Sequence, residues 1–180
     1  MVNLDIYKLT SKNECKKMQH TLPSNNIDFL RTLIGRKIIK VSRQLFKNDL
    51  NQENYEQMAD GSIELVFDNN KVISFSSWTE VESVSITDVK MNQYGDSYIY
   101  KNLTDNLFWK PRVGKVITKI IIFRSIYGSE ENPLEFAVEF EFENETKVCI
   151  EYLNEGDFPD TLRVIEQNEE TRCTSLVIDK

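Results

Sequence analysis

The sequence predicts an α+β fold that is mainly β, with two tandem-duplicated units fused into one pseudo-twofold body. Residues 29–41 align without a gap on residues 108–120, 79 positions further on, and Phe, Gly, Ile and Lys are identical at four of the thirteen positions. Residues 63–69 and 138–144 continue the similarity, which is typical of an internal repeat. Both copies are rich in β-branched and aromatic residues, which favour strands. Each unit is therefore predicted to be a short helix followed by a four-stranded antiparallel meander.

The whole chain, residues 1–180, is predicted to be a single domain. Repeat 1 occupies residues 24–88, repeat 2 occupies residues 105–167, and residues 168–180 add a C-terminal edge strand. No linker rich in Pro, Gly and Ser separates the repeats, so we expect them to share one core. A chain of 180 residues can bury roughly 70% of the surface that it exposes when unfolded, so disulfides are not needed to hold it together.

Each repeat is predicted to open with a short helix. In repeat 1 the helix covers residues 26–33, because Asp28 suits the positive end of the helix dipole and Gly35 can adopt the left-handed conformation that ends a helix. In repeat 2 the counterpart covers residues 105–109 and is cut short by Pro111. A further helix is predicted over residues 10–20, before both repeats.

The strands are predicted from β-branched and aromatic runs that are bounded by turn residues. Asn69 and Asn70 suit a two-residue hairpin turn because Asn tolerates positive φ, and residues 144–146 are predicted to form a three-residue equivalent. Long loops are expected over residues 47–60 and 125–133. The predicted strands cover residues 36–46, 62–67, 71–76 and 80–87 in repeat 1, residues 115–124, 134–142, 147–152 and 161–166 in repeat 2, and edge strands at residues 97–100 and 174–178.

The clearest local pattern is the strict alternation over residues 134–143. It directs apolar side chains to one face of a strand and carboxylates to the other, because successive side chains of a strand point to opposite faces. We interpret the acidic face, which we call the glutamate ladder, as an exposed partner-binding surface. The ladder consists of Glu135, Glu139, Glu141 and Glu143, and the predicted partner-binding site also includes Glu151, Glu155 and Asp157.

The charge of the chain is unevenly distributed. Residues 130–170 contain fourteen Asp or Glu and two basic residues, a local charge of −12 in a chain whose net charge is −7. A field of one sign speeds association with a basic partner and repels nucleic acid, so we expect a basic protein partner and no nucleic acid. The alternative interpretation is a solvated acidic face that keeps the protein soluble and blocks edge-to-edge strand pairing.

No catalytic or cofactor-binding motif occurs in the sequence. Patterns for phosphate, dinucleotide, zinc and calcium binding and for nucleophilic serine hydrolases are all missing from it. His20 is the single histidine, so a site that needs several histidines is excluded. Cys15, Cys149 and Cys173 are odd in number and form no CxxC pair, which argues against a disulfide framework or a structural zinc site. We therefore predict no catalytic residues, no metal and no cofactor, and a protein that is not an enzyme.

The sequence also favours a cytoplasmic protein without a membrane partner. Its first residues lack the charged and apolar regions of a secretory signal, and its longest unbroken apolar run, residues 120–123, is far too short to span a bilayer. The three unpaired cysteines agree with a reducing compartment.

In general character, as a small acidic protein with uneven charge and no motif, the chain resembles the immunity proteins that bacteria pair with polymorphic or contact-dependent toxins. The resemblance implies a protein that neutralises a basic, nuclease-type toxin by covering its active site or an adjacent surface. The glutamate ladder would then meet Lys and Arg side chains of the toxin.

Two other functions remain open from the sequence. The first is a module that binds a small molecule or a peptide in a cleft between the two halves, lined by Trp78, Tyr100 and Trp109. The second is an enzyme whose carboxylates act in that same cleft.

Overall fold

The computed structural model describes residues 20–50, 56–91, 96–155 and 158–179. The helix predicted over residues 10–20 lies, except for its last residue, outside this part of the chain. A 3-10 turn, Pro23–Asn26, leads into helix α1 (Ile27–Arg31). The strands of the first half are β1 (Ile38–Phe46), β2 (Met58–Ala59), β3 (Ile63–Phe67), β4 (Val72–Trp78), β5 (Ser83–Thr87) and β6 (Tyr98–Asn102). Those of the second half are β7 (Ile117–Ser125), β8 (Ala137–Phe142), β9 (Lys147–Glu155), β10 (Phe158–Ile165) and β11 (Cys173–Ile178).

The strands form two antiparallel sheets. One has the order β5-β4-β3-β1-β6 and the other has the order β11-β7-β8-β9-β10-β2. Each sheet therefore contains a four-stranded meander with one further strand beside the first strand of the meander. The prediction of a mainly β fold is confirmed, and both predicted edge strands are present as β6 and β11.

The two halves differ in the segment that precedes the first strand. In the first half, Asp28 lies in the first turn of α1 and its carboxylate accepts a hydrogen bond from Arg31 at 3.0 Å, and the chain turns at Gly35 with φ of 82°. In the second half, residues 104–114 form turns, so the helix predicted over residues 105–109 is wrong. Pro111 has no N–H group and restricts the residue before it, which prevents the helical hydrogen bonds from propagating.

The two meanders pair their strands in the same register. Their hairpin turns also agree, because Asn70 and Glu145 both have φ of 64°, and Phe67 and Phe142 both donate a hydrogen bond to the carbonyl four residues later. A three-residue loop was predicted for residues 144–146. The chain instead forms there the same turn as at Asn70. Matched pairs are Ile38↔Phe67 with Ile117↔Phe142, Val41↔Leu65 with Ile120↔Phe140, Ile63↔Phe75 with Val138↔Ile150, Phe75↔Ile86 with Ile150↔Val164, and Phe46↔Tyr98 with Ser125↔Cys173.

Backbone hydrogen bonds join the halves reciprocally. The N–H of Gly35 donates to the carbonyl of Ile117 and the N–H of Gly114 donates to the carbonyl of Ile38, each at 2.8 Å. Both glycines have positive φ, a conformation that costs glycine little. In addition, β2 of the first half pairs with β10, and the carbonyl of Glu135 in the second half accepts a hydrogen bond from β5. Each half thus covers an edge of the other half's sheet.

A single hydrophobic core extends across both halves. Strands β4 and β5 pack against β8, β9 and β10, and the rings of Phe75 and Phe140 meet edge to face at 6.0 Å between centroids. Leu30 of α1 and Trp109 of the second-half turns are buried in the same cluster. The core side chains of the two halves therefore pack directly against each other.

Candidate functional site

The carboxylates of the glutamate ladder are engaged within the protein. The alternation holds over β8, with Val138, Phe140 and Phe142 in the core and Glu139 and Glu141 on the opposite face. Residues 134–136, which were predicted to belong to the same strand, precede it, and Leu134 has φ of 46°. However, the exposed fraction is 0% for Glu135, 2% for Glu139 and 3% for Glu151. The expectation that these three side chains stand out into water is wrong.

Glu135 connects the N-terminal turn to β7. One carboxylate oxygen accepts hydrogen bonds from Nε and Nη2 of Arg124, at 3.0 and 2.8 Å. The other accepts a hydrogen bond from the backbone N–H of Ser24 at 2.8 Å. Such charge-assisted contacts offset the loss of hydration of a buried carboxylate, so Glu135 is a structural residue.

Glu139 and Glu141 belong to one ionic network with two lysines. Glu139 contacts Nζ of Lys147 at 3.3 Å, and Glu141 contacts Nζ of Lys147 at 2.9 Å and Nζ of Lys119 at 2.5 Å. Glu139 also accepts a hydrogen bond at 2.7 Å from the backbone N–H of Asn168, in the segment between β10 and β11. Its register counterpart in the first half, Glu64, accepts the N–H of Met91 at 3.0 Å in the same way.

The remaining predicted residues separate into three groups. Glu151 lies opposite Arg163 in the β9–β10 pairing and forms an ion pair with it, as expected for opposite charges on neighbouring strands. Glu143 is exposed at the β8–β9 hairpin. The side chain of Glu155 and the whole of Asp157 lie outside the described residues. The ladder is therefore a set of internal ion pairs with one free end, and not a continuous acidic surface.

The network shifts the pKa of two of its members. Burial raises the pKa of Glu141, but the hydrogen bonds and charges of Lys119 and Lys147 outweigh it and hold the pKa below the ordinary 4.5. The hydrogen bond with Glu141 raises the pKa of Lys147 above its ordinary 10.5, against the opposing effect of burial.

We expect Glu141→Gln to lower the free energy of unfolding near neutral pH by about 0.5 to 1 kcal/mol, because the pair is only partly buried. A carboxyl whose pKa is lowered by folding stabilises the native state above its unfolded pKa and ceases to do so as the pH falls through the folded pKa. The difference from wild type should therefore vanish in acid, which urea denaturation at both pH values would measure. Glu143→Gln, at the exposed hairpin, is the control; a Glu141→Gln deficit that persists in acid would contradict the assignment.

The residues proposed to line a cleft between the halves are also engaged. Trp109 is buried in the common core, and Trp78 stacks on His20 with 5.6 Å between ring centroids. The hydroxyl of Tyr100 donates a hydrogen bond to the carbonyl of Met91 at 2.7 Å. The indole of Trp109 is therefore not accessible to a ligand.

An exposed apolar feature that the sequence analysis missed lies on the loop between β7 and β8. Ile126 is 54% exposed and Tyr127 is 73% exposed, next to each other at the start of this loop. From the sequence, residues 125–133 are predicted only as a long loop between two strands. The signal that could have identified them is an aromatic and a β-branched residue placed side by side in a segment that is otherwise polar.

Hydrogen bonds hold this loop in place. The N–H of Gly128 donates to the carbonyl of Ser125 at 3.1 Å, and the N–H of Ser129 donates to the carbonyl of Asn132 at 2.8 Å. The loop ends at Leu134, whose φ of 46° is unusual for a bulky residue. Backbone strain of this kind persists only where the surroundings determine it, and it is frequent at binding sites.

Two pockets flank the loop. One, of about 450 Å³, is lined by Tyr127, Phe136 and Arg172, and the other, of about 760 Å³, is lined by Ile126, Ser24 and Arg124. Arg124 is paired with Glu135, which leaves Arg172 as an exposed guanidinium on the rim. We call Ile126, Tyr127 and the pocket rims the loop face. Its exposed carboxylates are Glu82, Glu130, Glu131, Glu169 and Glu170.

The described part of the chain has no cluster of metal-ligating side chains, and of its two cysteines Cys149 is buried and Cys173 is partly exposed. Within it, no three His, Cys, Asp or Glu side chains are grouped so that they could hold a metal ion. Burial, together with the nearby charges of Glu151 and Glu139, raises the pKa of Cys149, which keeps its thiol protonated. None of the helices described is long and apolar enough to cross a membrane.

Comparison of the chain with protein-family models, with curated proteins and with solved structures found no match. The fold and the loop face together define a two-sheet β protein with an acidic, partly aromatic surface at one end of its second half.

Proposed function

We propose that this protein is a non-catalytic binding protein that recognises a basic protein partner through the loop face. The observation that carries the proposal is the exposure of Ile126 and Tyr127 on an ordered loop between two pockets with an acidic rim. A tyrosine in this position offers a large contact area at a low cost in conformational entropy, and aromatic residues are enriched among the residues that dominate interface energetics.

The charges of the loop face favour a cationic partner. Five exposed carboxylates surround the pockets, and the exposed cation on the rim is Arg172. Such a surface attracts Lys and Arg side chains over long distances and raises the association rate more than the final affinity. The pockets on either side of Tyr127 are large enough for the side chains of a partner to enter.

Within this class, we propose an immunity protein that acts in the cytoplasm on a nuclease-type toxin. The acidic loop face presents carboxylates to groups that would otherwise bind phosphate, which is the way in which an acidic protein competes with nucleic acid for a basic active site. The glutamate ladder does not contribute to this proposal, because Glu135, Glu139 and Glu141 are paired internally and Glu143 lies on the β8–β9 hairpin, outside the loop face.

We also propose that the two halves arose by duplication of one unit. The support comes from the shared strand order and register of the two meanders and from the reciprocal hydrogen bonds of Gly35 and Gly114. The loop between β7 and β8 then belongs to the second half, as does the acidic region of the sequence, whereas Ser24 and Glu82 of the first half complete the pocket rims.

The proposal is tested with a partner that is captured by cross-linking from the native host, identified by mass spectrometry and then purified. The partner should be basic. Tyr127→Ala should weaken binding about 30-fold or more, which corresponds to about 2 kcal/mol for the loss of a central aromatic side chain. The double variant Glu130→Gln/Glu131→Gln should slow association and reduce its dependence on salt. Surface plasmon resonance at two salt concentrations measures both effects.

The matched control is Glu143→Gln/Glu145→Gln, which removes the same charge from two exposed positions of the β8–β9 hairpin. We expect it to leave association nearly unchanged. An acidic partner would refute the proposed partner class, and equal slowing by both double variants would refute the loop face as the contact surface. When the partner is a nuclease, one equivalent of the wild-type protein should stop its cleavage of nucleic acid.

A further inference from the structure

The outer edge of β11 is open for strand pairing. One side of β11 pairs with β7 through six residue pairs, from Cys173↔Ser125 to Ile178↔Ile120. No described residue pairs with its other side. The strand contains no charged residue and no proline, and Val177 is 48% exposed on it. A regular, uncharged edge of this kind presents a row of free N–H and C=O groups that can template a further strand.

The other described sheet edges are covered or carry a feature that discourages pairing. The N–H groups of Val84 and Ile86 in β5 donate to the carbonyls of Glu135 and Thr21, each at 2.9 Å. Strand β10 is covered by β2, which is itself only two residues long. Strand β6 carries Lys101, and lysine on an edge is a common protection against pairing. Among these edges, β11 alone is both long and unprotected.

The charges at the ends of β11 fit a second copy of the same strand. Arg172 precedes the strand and Asp179 follows it, and both are exposed. In an antiparallel pair of two identical strands, the Arg172 end of each copy lies beside the Asp179 end of the other. Opposite charges on neighbouring strands stabilise pairing, and here the favourable contact would occur twice.

The two faces of β11 also match in such a pair. Leu176 and Ile178 point toward the core, whereas Ser175 and Val177 lie opposite Phe123 and Ile121 on the outer face. A two-fold axis perpendicular to the sheet keeps the outer faces of both copies on the same side, so that the core residues of both remain covered. The two six-stranded sheets would then continue into one another across the axis.

We propose that the protein forms a homodimer by antiparallel pairing of β11 with β11 of a second copy. The pairing uses the side of β11 that faces away from β7, the strand that leads into the loop, and it shares Arg172 with the rim of the loop face. This inference goes beyond the proposed partner binding and does not depend on it.

Sedimentation velocity of the full chain at high micromolar concentration tests the proposal. Wild type should sediment as a dimer. Val177→Lys should raise the dissociation constant of the dimer roughly tenfold or more, because a lysine on the edge of a strand discourages the addition of a further strand. Val89→Lys, at another exposed apolar position of similar exposure, should leave the dimer intact.

A charge-reversal series tests the antiparallel arrangement. Arg172→Glu should weaken the dimer and Arg172→Glu/Asp179→Lys should restore it, since the double variant recreates the attraction with opposite signs. The thermal midpoint of monomeric Val177→Lys, measured at low concentration, should equal that of wild type, which separates loss of pairing from loss of folding. A monomeric wild type at high concentration would overturn the proposal, as would a Val177→Lys protein that dimerises as tightly as wild type.

Discussion

Replacement of Arg43 by Ala should lower the free energy of unfolding by about 3 to 5 kcal/mol. The side chain is completely buried, and its guanidinium donates hydrogen bonds to the carbonyls of Glu56 and Ala59, both at 2.9 Å, and to the carbonyl of Leu162. Arg43 thereby joins β1 to β2 and to β10 of the other half. Alanine would leave three carbonyls without this donor and would open a cavity. Equilibrium denaturation with urea measures the loss.

Three further variants separate the causes of that loss. Arg43→Lys keeps a charged donor and should cost less than Arg43→Ala. Arg43→Ile introduces the residue type that stands at the matching register position, Ile122, and should recover packing but not the hydrogen bonds. Arg31→Ala removes an arginine from the surface and should change stability by about 0.5 kcal/mol or less. A loss of under about 1 kcal/mol for Arg43→Ala would show that the carbonyls find other partners.

Burial lowers the pKa of Arg43 to about 9, and the charge of Asp60 opposes this effect. The guanidinium therefore remains protonated at neutral pH, where all of its N–H groups can donate. In this protonated state, the guanidinium of Arg43 donates its hydrogen bonds to the three backbone carbonyls and so connects the two halves.

Much of the fold follows from local patterns in the sequence. Alternation over residues 134–143 identified β8 and its two faces, because the side-chain period of a strand is fixed by backbone geometry, but it placed the start of the strand three residues before Ala137. Val41, Arg43 and Leu45 alternate in the same way, which places Arg43 on the apolar face of β1 as the structure has it. The first hairpin turn followed from Asn70, because Asn tolerates positive φ, whereas in the second hairpin the positive φ falls on Glu145.

The exposure of the glutamates on the outer face of β8 and β9 could not be predicted, because it depends on contacts between distant segments. Alternation shows that Glu139 and Glu151 point away from the core, but it does not show that Lys147 and Arg163 lie beside them. Nor does it show that the segment after β10 folds back so that Asn168 binds Glu139. A row of carboxylates in a sequence therefore predicts a face of a strand, and not the exposure of that face.

The loop face was missed for a related reason. Exposure of Tyr127 depends on the path of a loop that turns at Gly128 and returns at Leu134, and no periodic pattern encodes that path. Composition did point to the part of the chain that carries this candidate surface, since Glu130 and Glu131 belong to the acidic region that the charge count singled out. Charge segregation was thus a better guide to the candidate surface than the alternation within it.

Replacement of Gly61 by Ala should cost about 3 kcal/mol or more, because no side chain fits at this position without movement of the backbone. A Cβ atom there would come closer to the carbonyl oxygen of Gln44 than real Cβ atoms approach other atoms, and within 2.6 Å of the carbonyl carbon. The clash is with main chain, and the same stretch is fixed by the hydrogen bond from the N–H of Gln44 to the carbonyl of Ser62 at 2.9 Å. Neither β1 nor the start of β3 can therefore give way without losing its pairing.

Gly114→Ala is the matched control, because Gly114 is required for its backbone conformation, whereas Gly61 is required for lack of space. Gly114 has φ of 78° and an added Cβ would meet nothing within 4 Å, so alanine there should cost only the strain of the left-handed conformation, about 1 to 2 kcal/mol. Thermal and urea denaturation of both variants should rank Gly61→Ala as the more damaging. The reverse order would mean that the contact between Gly61 and β1 relaxes easily, and that positive φ at the junction of the two halves is the stricter constraint on this fold.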